Sequence, residues 1–357
     1  MSDRILEGKR VLITGGTGSL GKVLLRRLLG GTAGEPEKIV VFSRDEGKQH
    51  QIRVEYQHRR EPTDEIIYRN FAKRIEFRIG DVRDFHALAA ALRDIDVVFN
   101  AAALKQVPTC EYFPYEAVMT NVLGAENIVR AIRDLNLKVE TVIGISTDKA
   151  VKPVNVMGMT KALQERIFAR ANLEVPRTLF AVVRYGNVLA SRGSVIPLFH
   201  EQIRHGGPVT ITHVEMTRFL LSLEDAVDVV LAAVRGARPG ETYIPHAPTA
   251  LMTDLANVLI DGRPIETVVT GIRPGEKLHE ILISEEEAHR AFRRGDHYVV
   301  APILPELRDP SAEGTFLKDE YSSANNVMTC AQLRDLLVRR ELMVSANKLS
   351  LEGELLR

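Results

Sequence analysis

The chain has only two cysteines, Cys110 and Cys330, too few for a disulfide framework or a cysteine-rich metal site. A reducing compartment, the cytosol, suits that scarcity best. Net charge is also lacking: 47 Lys and Arg balance 47 Asp and Glu, so no global field favours nucleic acid or an acidic membrane surface. An anionic ligand must therefore be held by cations gathered locally. No run of eighteen uninterrupted apolar residues occurs, and the opening M-S-D-R-I-L-E-G-K-R lacks the apolar core of a signal peptide. These shortages lead us to expect a soluble cytoplasmic protein with no membrane, nucleic-acid or metal partner.

What is present is enough for a substantial core. With 357 residues, 45% hydrophobic and 26% charged, the chain can build one large α/β domain and a smaller one. Apolar strand-like runs at 10–14, 38–42, 75–79, 96–100, 141–146 and 179–185 alternate with helical patterns at 20–29, 85–92, 117–134 and 157–170. Between residues 43 and 74 the sequence is highly charged and suggests a helix with a surface insertion at 61–64. Strand–helix alternation predicts an α/β fold, a Rossmann-type doubly wound parallel sheet, over residues 1–187. Beyond Asn187 the pattern loosens, with short strands expected at 208–212 and 241–244 and helices at 223–233 and 284–293. Residues 188–305 are expected to form mainly a smaller α+β substrate lobe, some segments returning to the core. Residues 306–357 are a C-terminal extension whose fold the pattern does not disclose.

The first strand runs into Gly15-Gly16-Thr17-Gly18-Ser19-Leu20-Gly21, a glycine turn opening a helix. Glycine at 15 allows a tight turn, at 18 a close approach of backbone to a pyrophosphate, and at 21 close helix–strand packing. The new helix would offer free N–H groups and its positive end to phosphates. The second strand ends Ser43-Arg44-Asp45 with Lys48 one turn on. Arg44 and Lys48 suit a ribose 2′-phosphate, favouring NADP, while Asp45 keeps NAD open. Asp81 and Val82 after the third strand, and Ala101, Ala102 and Ala103 after the fourth, are further candidates for cofactor contact.

The fifth strand ends in Ser146-Thr147-Asp148-Lys149, and open α/β sheets bind ligands at such carboxyl ends. A hydroxyl, a carboxylate and an amine there supply a hydrogen-bond donor, a general acid and a general base. Alone, T-D-K is a common surface string. Lys161 on the following helix and the glycine turn upstream give it weight.

At this point the chain resembles the extended short-chain dehydrogenase/reductases, and within them the inverting UDP-N-acetylglucosamine 4,6-dehydratases of polysaccharide biosynthesis. The strings that carry the resemblance are A-A-A-L-K-Q-V-P-T-C-E (101–111), T-N-V-L-G-A-E-N (120–127), S-T-D-K-A-V-K-P-V-N-V-M-G-M-T-K (146–161), R-Y-G-N-V-L-A-S-R-G-S-V-I-P-L-F (184–199), M-T-R-F (216–219) and R-P-G-E-K-L-H-E (273–280). One departure stands out: the wider family has Tyr-x-x-x-Lys where this chain has Met157-Gly158-Met159-Thr160-Lys161. Methionine cannot exchange a proton. A subset of the inverting dehydratases looks like this, so the proton-transfer task moves to other groups.

The resemblance implies oxidation of the sugar at carbon 4, loss of water across carbons 5 and 6, and return of the hydride to carbon 6, with inversion at carbon 5. For the protons we expect Lys149 as the base at carbon 5, since burial or a neighbouring cation can tune a lysine towards neutrality. Asp148 is expected as the acid for the departing hydroxyl and as a candidate acceptor of the 4-hydroxyl proton that Met157 cannot take. Thr147 would bond the 4-oxygen, Lys161 hold the nicotinamide ribose, and Met157 form an apolar wall. Lys105, Asn121, Tyr185 and Asn187 join the cofactor positions by the same resemblance. Lys105, Asn187, Arg192, Val195, Thr210, Arg218, Arg273 and Glu276 are the substrate positions, with guanidinium forks for a uridine diphosphate. A homo-oligomer, dimer or hexamer, is the partner expected besides the UDP-sugar. An epimerase or 5,6-dehydratase on this scaffold, or a non-catalytic NADP-binding regulator, stays open.

Overall fold

A computed structural model describes residues 4–57, 74–189, 194–308 and 315–344; the insertion expected at 61–64 lies outside the described residues. Six parallel strands are laid down first: β1 (Arg10–Thr14), β2 (Lys38–Ser43), β3 (Ile75–Ile79), β4 (Val97–Asn100), β5 (Thr141–Thr147) and β6 (Leu179–Tyr185). Three short two-stranded sheets lie outside that array. They pair β7 (Val209–Ile211) with β11 (Thr267–Val269), β8 (Thr217–Phe219) with β10 (Thr249–Leu251), and β12 (Ile281–Ile283) with β15 (Tyr321–Ser322). The remaining strands, β9 (Thr242–Pro245), β13 (Ala291–Arg294) and β14 (His297–Val300), return to the large sheet. Its order is β13-β14-β9-β6-β5-β4-β1-β2-β3, the doubly wound order extended at one edge.

The inner strands are near-continuous apolar runs because both faces of the sheet are covered. On one face Val11, Ile13, Val41 and Phe99 pack with helices Ser19–Leu29 and Leu223–Gly236. On the other, Leu12, Val40, Val98 and Phe180 pack with helices Phe85–Ala91, Gly124–Asp134 and Val156–Glu174. Alternate residues of each strand thus feed opposite layers, as a period of two requires. A third apolar cluster, in the lobe, joins Phe199, Ile211 and Leu255 to Leu333 and Leu337 of helix Cys330–Arg339. Part of the C-terminal extension is thereby built into the lobe. No helix of the described residues is long and apolar enough to cross a membrane.

One expected element is corrected. Residues 284–293 do not form one helix: a single turn, Glu285–Ala288, is followed by β13, which pairs antiparallel with β14. Gly295, at φ +60°, makes the reversal, and Phe292 is buried in the large sheet's core. The run of glutamates suggests a helix, but sheet pairing overrides it, as tertiary context often does. Elsewhere differences are extensions: helix Val156–Glu174 is longer than expected, and 118–123 is a π-helical stretch within the segment read as one helix.

Candidate functional site

At the carboxyl end of β1 the Thr14 hydroxyl donates to Asn100 Oδ1 (2.7 Å) and accepts the Ala102 amide (3.2 Å), tying the ends of β1 and β4 together. Gly15 turns the chain at φ +65°, and a Cβ there would sit 2.7 Å from the Ala102 nitrogen. No other residue fits both conditions. Gly21 lies so close to Gly16 that a Cβ would stand 2.6 Å from its Cα. Gly18 is the N-cap of the helix, with no side-chain cap and no acidic residue in the first turn. The first N–H groups and the positive helix end are therefore left for an anion.

A cavity of 530 Å³ opens over this turn, a volume suited to a cofactor or small ligand. Gly15, Thr17, Gly18, Ser19, Leu20 and Gly21 line its floor, and Ser43, Arg44, Lys48, Asp81 and Val82 one end. Ala101, Ala102, Ala103 and Lys105 form a side, and Thr147, Lys149, Met157, Lys161, Tyr185 and Asn187 the far wall. The cradle of backbone, the open helix end and the two-ended cavity fit a dinucleotide. At the Arg44 end the cations are already partnered: Arg44 lies 3.6 Å from Asp81, and Lys48 pairs with Asp45. Burial raises the Asp81 carboxyl, but hydrogen bonds from Arg83 outweigh it and hold the group below its ordinary value.

On the far wall, β5 ends in a 3₁₀ turn, Asp148–Ala150, that throws Thr147 and Lys149 onto the cavity. The Thr147 hydroxyl donates to Asp148 Oδ1 (2.8 Å), and the Lys149 amine donates to the same oxygen (3.0 Å) and to Asn187 Oδ1 (3.2 Å). The amine also lies 3.1 Å from Glu280, a residue the motif reading passed over. Two expectations are corrected here. Lys149 is not drawn towards neutrality: burial disfavours its charge, but Asp148 and Glu280 outweigh that and push its pKa up to about 12. Asp148 does not line the cavity but is wholly buried behind Thr147 and Lys149, and its Oδ2 has no hydrogen-bond partner among the described residues. Burial pushes that carboxyl above its ordinary value, with Glu280 adding to the effect and Lys149 opposing it.

The helix carrying Met157 and Lys161 is held against this turn. Asn155 caps it, accepting from the Gly158 amide (2.8 Å) and donating to the Gly275 carbonyl (2.8 Å). A Cβ on Gly158 would lie 2.1 Å from the Lys149 carbonyl oxygen, so the M-G-M string needs its glycine for the helix to touch the Asp148–Ala150 turn. Met157 is buried with Cys110 and Ala117 and presents an apolar surface to the cavity. Lys161 donates to Gln164 (2.7 Å), and burial, opposed by Glu165, lowers its pKa to about 8. Burial raises the Tyr185 phenol, which stays protonated near neutrality.

Other expected positions are displaced from the cavity. Asn121 is fully buried in the π-helical stretch, where it bonds Leu104 through both its amide and its carbonyl (2.8 and 3.0 Å) and also Thr160 (2.9 Å). Its double bond to one residue's backbone makes it a brace for the 101–105 strip, not a cofactor contact. Arg218 spends its guanidinium on the carbonyls of Thr217, Leu278 and Lys277 (2.7, 3.1 and 3.0 Å) and lies 3.8 Å from Glu280. Those bonds correct the expectation of a free diphosphate fork. Thr210, on β7, is bonded to Gln202 (2.7 Å), and Val195 opens helix Val195–Arg204. Arg273 is exposed, 4.0 Å from Glu276, and Arg192 lies outside the described residues. Among the described residues no group of three His, Cys, Asp or Glu is placed to hold a metal. Thr120 was also missed: its buried hydroxyl, on the cavity lining, has no partner among the described residues.

Comparison with known proteins places this geometry. The family described as "Polysaccharide biosynthesis protein" matches residues 11–302. A curated relative from Rickettsia typhi named UDP-glucose 4-epimerase is 45% identical over 341 residues, 92% of this chain and 95% of its own length. The crystal structure of Pen from Bacillus thuringiensis is 34% identical with a TM-score of 0.83, covering 95% of this chain and 99% of that one. DesIV, a dTDP-glucose 4,6-dehydratase from Streptomyces venezuelae solved with NAD and TYD, shares the fold at 21% identity and a TM-score of 0.63, covering 75% of this chain and 86% of that one. The chain is a member of the polysaccharide biosynthesis protein family, built on the Rossmann-like fold of the extended short-chain dehydrogenase/reductases.

Proposed function

We propose that the protein is a nucleotide-sugar-modifying enzyme that dehydrates UDP-N-acetylglucosamine across carbons 5 and 6, inverting carbon 5 and releasing a UDP-4-keto-6-deoxy sugar. The observation that carries this reading is the convergence of Thr147, Lys149, Met157 and Lys161 on one wall of the cavity whose floor is the glycine turn. A bound nicotinamide supplies the hydride acceptor for carbon 4 and the donor for carbon 6. Gly15 to Gly21 would hold its pyrophosphate, Lys161 its ribose, and Arg44 and Lys48 the 2′-phosphate of NADP in place of NAD.

The protein's own groups handle the protons. Thr147 bonds the 4-oxygen of the sugar. Met157 offers no proton at the place where a tyrosine would exchange one, so the 4-hydroxyl proton must leave through the Thr147–Asp148–Lys149 chain. Lys149 rests as an ammonium, so it first passes its proton towards Asp148 or Glu280 and then takes the one on carbon 5. Asp148, with a raised pKa and an Oδ2 that has no hydrogen-bond partner among the described residues, acts as the proton store behind both groups. It delivers the acid proton to the departing 6-hydroxyl through Lys149. Lys105, Asn187, Arg192, Val195, Thr210, Arg273 and Glu276 remain the candidates for holding the sugar nucleotide, while Arg218 is spent on the carbonyls of Thr217, Lys277 and Leu278.

A second reading, a UDP-sugar 4-epimerase, is favoured by the 45% identity to the Rickettsia typhi relative named UDP-glucose 4-epimerase. One experiment tests both: incubation with UDP-N-acetylglucosamine in deuterated water, followed by NMR. The dehydratase yields a 4-keto sugar, a new C6 methyl and deuterium at carbon 5. An epimer with carbon 5 unlabelled overturns dehydration.

A further inference from the structure

Lys149 is held from two directions. Its own turn supplies Asp148, and Glu280 arrives from the other lobe, immediately before β12. Glu280 is almost wholly buried. Its backbone amide donates to the Ser323 hydroxyl (2.9 Å), while its Oε1 lies 3.1 Å from the Lys149 amine and 3.8 Å from Arg218. Its Oε2 has no hydrogen-bond partner among the described residues. The segment before it is pinned as well: Lys277 donates to the Val151 carbonyl, and Arg218 holds the carbonyls of Lys277 and Leu278. The R-P-G-E-K-L-H-E string thus closes over the catalytic turn and carries a carboxylate to its amine. A buried carboxylate is costly unless paired, so its placement here favours an ammonium opposite.

We propose that Glu280 is a positioning residue for Lys149, holding its ammonium between Asp148 and Asn187 and receiving its proton when the amine must act as a base. The transfer balances without a co-reactant: the N–H bond of the ammonium breaks, an O–H bond forms on Glu280, and a neutral amine remains. The groups facing this amine are Asp148 on its own turn, Glu280, Arg218 on β8 and, further off, Lys277. Two carboxylates outweigh the cations at Lys149. Removing one leaves the amine buried with Asp148 alone, and it should lose its proton at lower pH. The inference deepens the proton-transfer role given to Lys149 above and rests on it.

The test is trace acetylation of the cofactor-free protein with acetic anhydride across pH 7 to 11, read at the Lys149 peptide by mass spectrometry. Glu280→Gln should raise labelling of Lys149 at pH 9 roughly tenfold, the consequence of a one-unit fall in the amine's pKa. Exposed Lys138 should be unchanged, and Glu280→Asp should fall between wild type and Glu280→Gln. A wild-type profile in Glu280→Gln overturns the proposal; if that variant does not fold by circular dichroism, a wild-type profile in Glu280→Asp does so. Where turnover is measured, Glu280→Gln should shift the pH dependence of kcat and largely spare KM, a split that general loosening of the fold would not give. The labelling uses no sugar. A shifted profile in a protein that leaves every UDP-sugar unchanged would sink the dehydratase reading and with it the proton-acceptor role of Glu280, whereas an unshifted profile in a protein that dehydrates the sugar would sink the placement of the ammonium by Glu280 alone.

Discussion

The two ends of the cavity are made in opposite ways. The glycine-turn end is backbone: a tight turn, a helix N-terminus and an alanine strip, all within reach of β1 and β4. The chemical end is side chains, with Lys149 and Asp148 from β5, Lys161 and Met157 from the next helix, Asn187 after β6 and Glu280 from the lobe. Backbone donors need only a local turn to be presented. Charged side chains must be brought together and desolvated, and their protonation is then set by burial and by neighbours both near and far in sequence. The difference predicts that the first end fails through geometry and the second through charge.

The largest effect should come from Lys149→Ala. Turnover should fall by about three orders of magnitude or more, within the usual reach of a lost acid–base group, with deuterium exchange at carbon 5 abolished. Cofactor affinity should stay near wild type by fluorescence titration. A matching loss of cofactor binding would break the division between the two ends.

Next comes Lys161, whose charge burial disfavours. Its folded pKa, about 8, lies below the unfolded value near 10.5, so the unfolded state binds the proton more tightly. Stability of the cofactor-free protein therefore rises with pH between those values. Lys161→Met should be more stable than wild type at pH 7, by up to about 3 kcal/mol, with the advantage shrinking above pH 8 and gone near 10.5. Urea melts at pH 7 and pH 10 measure it. An advantage independent of pH would locate the effect in packing, not charge.

Gly15→Ala should weaken the backbone end. The left-handed φ costs about 1–2 kcal/mol for an alanine, and the close contact with Ala102 adds to it. Cofactor affinity and the melting temperature should both drop, while the pH dependence of any residual turnover keeps its shape. The smallest effect is at Arg44. Arg44→Ala should lower NADP affinity relative to NAD about tenfold, in keeping with a partly screened surface contact. An unchanged ratio would remove Arg44 from cofactor choice.

Much of this was legible in residue order. Five of the six parallel strands are near-continuous apolar runs, and their placement follows from burial on both faces, while β3 (Ile-Glu-Phe-Arg-Ile) lies at the sheet edge and is only partly buried. The glycine turn is equally local: Gly15 and Gly21 are required by atoms that the strand–turn–helix geometry itself brings close. Residues 284–293 misled because a glutamate-rich run has helical character, while β13 exists only through its pairing with β14. Asn121 and Arg218 misled differently. Their chemistry suits ligands, yet both are spent on backbone carbonyls of segments distant in sequence.

What the sequence determined by itself is the parallel Rossmann-like sheet, the glycine turn that opens the first helix and an apolar Met157 beside Lys161, since each depends on residue types within one short stretch. What only the tertiary structure decided is the charge state and burial of Lys149 and Asp148. Lys149 rests charged because Glu280, from a segment distant in sequence, joins the adjacent Asp148 beside its amine and together they outweigh burial and the opposing Arg218; Coulomb interactions depend on distance through space and not along the chain.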